Sequence, residues 1–238
     1  MELAPGVGYA VTTRHGGAGA APYDTRNLGG AVGDDPETVR RNRELTAREF
    51  GLAPERVVYM RQVHSPDIAY VTEPFGAEPP ALDGIVTDRA GLGLAVLVAD
   101  CGPVLLADPV ARLVGAAHSG RVGTVAGVVP ALVESMAARG GDPARMVALV
   151  GPMACGRCYE VPEQMRAEAA AALPELFGTT RQGTPAIDVR TGITAQLARA
   201  GVGDIRQDAR CTIEDPDFFS YRRDHTTGRF AGYVWLTD

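Results

Sequence analysis

The chain contains no lysine. Its 23 basic residues other than histidine are all arginines, set against 29 acidic ones, for a formal net charge of -6 and a pI near 5.3. That balance excludes a broad nucleic-acid-binding surface, which needs an excess of cations to neutralise phosphates. A small anion gripped by a few arginines remains compatible with it. No apolar run approaches the roughly 18 residues of a membrane span. The opening MELAPGVGYAVTTRHGG has no basic stretch followed by an apolar one, so a secretory signal is not expected. A cytoplasmic location is the expectation, with no membrane and no nucleic acid as partner. Cysteine is scarce: Cys101, Cys155, Cys158 and Cys211 only. In a reducing compartment these are expected as thiols, thiolates or metal ligands and not as structural disulfides. Histidine is as rare, at His15, His64, His118 and His225, and no two form an H-x-H pair. No internal repeat and no long linker interrupt the chain.

What is present is enough apolar sequence, 45% of 238 residues, to bury a sizeable core. Strand patterns are read at 7–12, 57–64, 83–87, 93–99, 104–107, 113–117, 146–150, 205–211, 218–221 and 230–236. Residues 67–72 are read as a hairpin partner of 57–64, and 218–221 as joined to 230–236 by a loop through Asp224–Gly228. Asp34-Asp35-Pro36-Glu37 is a helix start, with an N-capping acid and Pro in the first turn, for a helix ending near Phe50 and Gly51. Further helices are read at 123–139, with a kink or late start at Pro130, and at 162–173 and 191–200. Interleaved strands and helices with several hairpins predict an α/β fold, a single domain over 1–238, with a large mixed sheet or two sheets.

Three residues stand at the ends of predicted strands beside Ser or Gly: His64 of VVYMRQVH, Cys101 after LAVLVAD, and His118 of RLVGAAH. Each alone is compatible with ordinary packing, and their spacings of 37 and 17 match no short zinc motif. Together, if the strands are neighbours, two His and one Cys make a tridentate zinc set with an open fourth position. Asp100 and Ser119 are then candidates for orienting the ligands. Cys155-Gly-Arg-Cys158 follows Gly151-Pro152 with neither a thioredoxin-like helix nor a second C-x-x-C, and reads as loop thiols; Cys211 reads as packing or as a group beside a site. His118-Ser-Gly-Arg121 runs into a helix, either a plain helix start or, with Arg121, an anion site. Tyr221-Arg222-Arg223, with Arg229 nearby, is either a solvated charge pair or a bidentate grip on phosphate or carboxylate.

The strings RHGG, NLGGAVGDDPETVRRNR, QVHS, DGIVTD, ADCGPVLLADP, GAAHSG, GPMACGRCYEV, and CT followed by FFSYRRD-x3-GR occur in this order over nearly the whole chain. In them the sequence resembles the YfiH-like laccase-domain family, also called multicopper polyphenol oxidases. The resemblance implies a four-layer α/β/β/α arrangement of mixed sheets and a zinc site of His64, Cys101 and His118, with copper as an alternative metal. It also implies a phosphorylase of broad specificity for purine nucleosides, acting on adenosine, inosine, guanosine and methylthioadenosine, with adenosine deamination as a side activity. His64, Cys101, His118 and Asp100 would be catalytic. Arg14, Asn27, Arg121, Arg222 and Arg223 would bind nucleoside and phosphate. One departure stands out: where the family reads H-A-G-W-R-G-T, this chain has Arg121 at the Trp position and Val122 at the Arg position. The H-x-E and P-C-x-x-C pair of zinc deaminases is missing. Four unpaired histidines cannot build a multicopper cluster, although two His and a Cys leave a single copper open, and with it a copper-dependent polyphenol oxidase as an alternative function. Two rival functions use the same residues. One is an amidase editing peptidoglycan precursors, with Cys101 as nucleophile and His118 or His64 as base. The other is a member without catalysis that only binds a ligand or a partner.

Overall fold

The segment Gly102–Asp108 reads Gly-Pro-Val-Leu-Leu-Ala-Asp, and every residue of it is buried. Such a strand must be covered on both faces. Its side chains divide accordingly: Val104 and Leu106 enter one apolar core, Leu105 and Ala107 another. The computed structural model, which describes residues 1–237, explains the division through two sheets stacked between helices.

The strands are β1 (Glu2–Ala4), β2 (Val7–Val11), β3 (Val57–Val58), β4 (Ile68–Tyr70), β5 (Gly84–Thr87), β6 (Gly93–Val98), β7 (Gly102–Asp108), β8 (Leu113–Ser119), β9 (Val147–Val150), β10 (Phe177–Thr179), β11 (Pro185–Ile187), β12 (Asp204–Gln207) and β13 (Phe230–Leu236). The helices are α1 (Pro36–Glu49), α2 (Arg121–Ala126), α3 (Val128–Ala137), α4 (Glu163–Ala172), α5 (Val189–Arg199) and the single turn α6 (Tyr221–Asp224). One sheet has the order β1-β2-β13-β6-β3, the other β12-β9-β7-β8-β5-β4, and β10-β11 is a small separate ribbon. Both large sheets mix parallel and antiparallel pairs. Leu94, Val96 and Val98 of β6 face Leu105 of β7 and Val114 of β8 between the sheets. The other face of the six-stranded sheet packs on Leu132 and Met136 of α3 and Ile193 and Leu197 of α5. The outer face of the five-stranded sheet, with Ala10, Ala95 and Tyr233, packs on Ala47 of α1. The result is the expected α/β/β/α layering.

Five local expectations are corrected. Residues 57–64 form a strand only at Val57–Val58, because the Gln62 side chain then replaces a neighbouring strand: its amide donates to Leu97 O (2.7 Å) and accepts from Leu97 N (2.9 Å). Residues 67–72 make no hairpin with it; β4 lies in the other sheet, parallel to β5. The expected helix at 123–139 is two helices, broken at Gly127, whose φ of 88 ends α2 and starts α3 with Pro130 in the first turn. Residues 218–221 are not a strand: Phe218, Phe219 and Ser220 are all fully buried, and the Ser220 hydroxyl caps α6. The strand predicted at 205–211 ends at Gln207, with only an isolated bridge from Cys211 to Met153.

This topology places two sheet-to-sheet crossings side by side. The chain leaves the first sheet after β3 and enters the second at β4, passing through His64. It crosses again between β6 and β7, through Asp100-Cys101. Among the described residues, no helix is long and apolar enough to cross a membrane. If the inter-sheet core carries the fold, Leu105→Ala should lower unfolding stability by about 2–5 kcal/mol in denaturant titrations. Val110→Ala, at a residue 71% exposed, should change it by less than about 0.5 kcal/mol.

Candidate metal centre and adjoining cavity

The crossing loops meet the end of β8, and Asp83, just before β5, joins them. β5 runs antiparallel to β8, so Asp83 lies beside His118, whose backbone N–H donates to Asp83 O (2.8 Å). The Asp83 carboxylate is fully buried, and three donors saturate it: His118 Nδ1 at 2.8 Å, Ser65 N at 2.7 Å and Val63 N at 3.0 Å. One carboxylate thus fixes the imidazole of His118 and the two backbone amides that flank His64. Burial alone would raise its pKa, but these hydrogen bonds outweigh burial and hold it down at about 2. Asp83 is the residue that sequence reasoning missed. Its signal was an acid between Leu82 and the buried run Gly84-Ile85-Val86-Thr87.

With Nδ1 committed to Asp83, His118 presents Nε2 to the other side. The His64 and His118 rings meet edge to face at 4.7 Å between centroids, and Cys101 Sγ lies 3.8 Å from His64 Nε2. One donor atom from each of His64, Cys101 and His118 falls within 4.8 Å of the other two. The convergence expected from the strand ends is therefore present, although His64 sits in a loop and Cys101 in a turn. Both crossings are bent sharply: His64 has φ 65 and Asp100 φ 92, a region uncommon for non-glycine residues. Gly120 completes the packing. A Cβ there would lie 2.5 Å from Cys101 Sγ, so only glycine permits this approach.

Burial would raise the Cys101 thiol, but the charge of His118 and hydrogen bonds from both histidines lower it to about 6. Burial would lower His118, but the Cys101 thiolate and Asp83 raise it to about 9. Between those values the metal-free pair is a thiolate beside an imidazolium. Two imidazoles, a ready thiolate and an orienting carboxylate suit a single zinc-class ion with one open position. A multinuclear copper cluster does not fit, since the remaining histidines are elsewhere: His15 pairs with Asp217 at 2.8 Å, and His225 lies on the rim of the cavity described next.

Cys101 and Gly120 also line a cavity of about 280 Å³, at the small end of ligand sites. Its walls include Asp100, Arg121, Tyr159, Val189, Tyr221 and Arg222. Asp100 is held on both oxygens, by the Thr212 hydroxyl (2.7 Å) and the Arg222 amide (2.7 Å). The Arg222 guanidinium donates to Glu160 O and stacks over Tyr159. The Arg121 side chain makes no hydrogen bond or ion pair among the described residues. The other candidate anion binders lie apart from these walls. Arg14 bonds Asp24 and stacks on Phe219. Asn27 is fully buried and ties Gly29, Asp34 and Arg229 together. Arg223 braces Thr212, Phe218 and Asp224.

Residues 8–237 match the sequence family described as multi-copper polyphenol oxidoreductase laccase. A purine nucleoside phosphorylase of Streptomyces griseus is 61% identical over 96% of this chain and 94% of its own. One of Streptomyces coelicolor is 59% identical over 97% and 96%. The crystal structure of the Bacillus licheniformis hypothetical protein YfiH superposes with a TM-score of 0.90 at 31% identity, covering 97% of this chain and 93% of that one.

Two outcomes follow from the geometry. In chelator-treated protein, alkylation of Cys101 should rise with a midpoint near pH 6, where an ordinary thiol shows about 8.5; mass spectrometry of the modified peptide measures it. Gly120→Ala should fold yet bind zinc at least about tenfold more weakly, read by competition with a chromophoric chelator.

Proposed function

The chain belongs to the laccase-like family whose description spans residues 8–237, and on that premise we propose that it is a purine nucleoside phosphorylase working in the cavity beside Cys101. The observation that carries the proposal is Arg121, an uncommitted guanidinium in the wall of the same cavity that Cys101 lines. The phosphorylase names of the Streptomyces relatives support the same reading.

Phosphorolysis breaks the bond from the ribose C1′ to the purine and forms a C1′–O bond to phosphate. The bonding pair leaves with the purine, which takes up a proton, while the sugar passes through a cation-like state. Phosphate needs a cation that is not already neutralised, and Arg121 supplies one, with Arg222 beside it. Arg121 stands where the family has Trp, so the flat surfaces left for a base are the rings of Tyr159 and Tyr221. These walls and Val189 offer few groups for reading base edges, which favours broad specificity among adenosine, inosine, guanosine and methylthioadenosine. Asp100, with both oxygens committed, acts as a positioning residue that holds the backbone of Arg222 and the turn carrying Cys101. Asp83 does the same for His118 and His64. When bound at His64, Cys101 and His118, zinc supplies Lewis acidity at the cavity floor, and copper is the alternative occupant of the same donors.

A second reading rests on the thiolate–imidazolium pair of Cys101 and His118, the pairing of a cysteine amidase acting on peptidoglycan precursors. Chromatography of adenosine incubations separates the two. The phosphorylase reading predicts adenine and ribose-1-phosphate only when phosphate is present, and Arg121→Ala should raise the KM for phosphate at least about tenfold with a smaller change in kcat. Inosine accumulating in the same runs would reveal the deaminase side reaction. No adenine from the zinc-loaded protein, together with amide hydrolysis that survives chelation and is lost on alkylation of Cys101, would replace this reading with the amidase.

A further inference from the structure

Outside the site already described, one cluster of metal-ligating donor atoms among the described residues remains without a role. The C-x-x-C thiols, read from sequence as ordinary loop groups, do not stand alone. A tight turn, closed by Cys158 N to Cys155 O (2.9 Å) and Tyr159 N to Cys155 O (3.0 Å), brings Cys155 and Cys158 together. The isolated bridge between Met153 and Cys211 then delivers a third sulfur from a distant part of the chain.

 The bridge sets Cys211 against the turn, where its Sγ accepts from Cys155 N at 3.4 Å. Glu214 follows from the same segment, so one donor atom each from Cys155, Cys158, Cys211 and Glu214 lies within 4.8 Å of the others.

We propose that Cys155, Cys158, Cys211 and Glu214 form a second metal site, for a thiophilic divalent cation of the zinc class, which clamps the wall of the cavity. Donors about 2.3 Å from a tetrahedral zinc stand roughly 3.8 Å apart, so the cluster needs only a small contraction to close on an ion. Four anionic donors around a divalent ion leave two negative charges, and two guanidiniums flank the cluster. Arg181 donates to Cys158 Sγ (3.6 Å) and to Glu214 Oε2 (3.2 Å), the place of an outer partner that orients a ligating carboxylate. Arg190 is 9% exposed, forms no ion pair among the described residues, and donates to the carbonyls of Met153 (3.4 Å) and Arg210 (2.9 Å) on the two segments that carry the sulfurs. A disulfide would use two of the three sulfurs and leave a thiol and a carboxylate with no shared purpose.

The clamp would act on the first site through Asp100. Ala154 N donates to Asp100 O (2.9 Å), and the Thr212 hydroxyl donates to its carboxylate. Each of these residues adjoins a sulfur ligand of the second site, so an ion there would fix the turn that carries Cys101. The role is structural, and it stands whether or not the chain is a phosphorylase.

The test is metal content by mass spectrometry on the full-length protein, with cobalt substituted for zinc to report the sulfur ligands. Wild type should hold two ions per chain. Cys101→Ser should keep one, with intense thiolate-to-cobalt charge-transfer absorption. Cys155→Ser/Cys158→Ser should keep one, with the weaker band of a single thiolate. Should that double variant fail to fold, Cys101→Ser decides alone. No retained ion in Cys101→Ser, a retained ion without the sulfur band, or a Cys155–Cys158 disulfide in freshly purified protein would each overturn the proposal.

Discussion

The buried carboxylate of Asp83 is the constraint on which the site depends. It is fully buried, away from bulk solvent, so its charge is tolerable only while its donors are in place. Those donors are His118 Nδ1 and the amides of Val63 and Ser65. The carboxylate therefore selects one orientation of His118 and one path for the loop through His64. The cost of leaving it unpaired is what holds two ligands from distant parts of the chain in register before any ion arrives. The positive φ at His64 is held by the same network through the amides of Val63 and Ser65, whereas that at Asp100 is held by Thr212, Arg222 and Ala154.

The donor set also bears on the family's description. Two imidazoles and a thiolate can hold one ion, and among the described residues no further histidine joins their cluster. A multicopper centre is thus at odds with this chain, while a single zinc-class ion at the edge of a small cavity agrees with its chemistry. The cavity places the Arg121 guanidinium beside that centre, with the rings of Tyr159 and Tyr221 in the same walls.

Much of the layering was legible in the sequence because strands buried on both faces must be continuously apolar, as in β6 and β7. His118 and Cys101 were legible for a related reason: a ligand beside glycine at the end of such a run has little packing to do. His64 was found, but its strand was misread, because the alternation of VVYMRQVH conceals that the Gln62 side chain takes over the hydrogen bonds of a neighbouring strand. Asp83 was missed because a single acid in an apolar run has no local pattern; its three donors come from 18 to 35 residues away. The cysteine cluster was missed likewise, since Cys211 joins the C-x-x-C turn only through tertiary packing. Arg14, Asn27 and Arg223 were expected to bind nucleoside and phosphate, and the structure shows each hydrogen-bonded to neighbouring groups.

The central claim is that Asp83 organises the metal centre without itself binding the ion. The most direct test is the zinc affinity of Asp83→Asn, measured by chelator competition alongside circular dichroism of the same samples. An amide keeps the size of the side chain but loses the charge and one acceptor. The account predicts affinity weaker by about 10–100-fold with secondary structure retained. Unchanged affinity in a folded variant would contradict it.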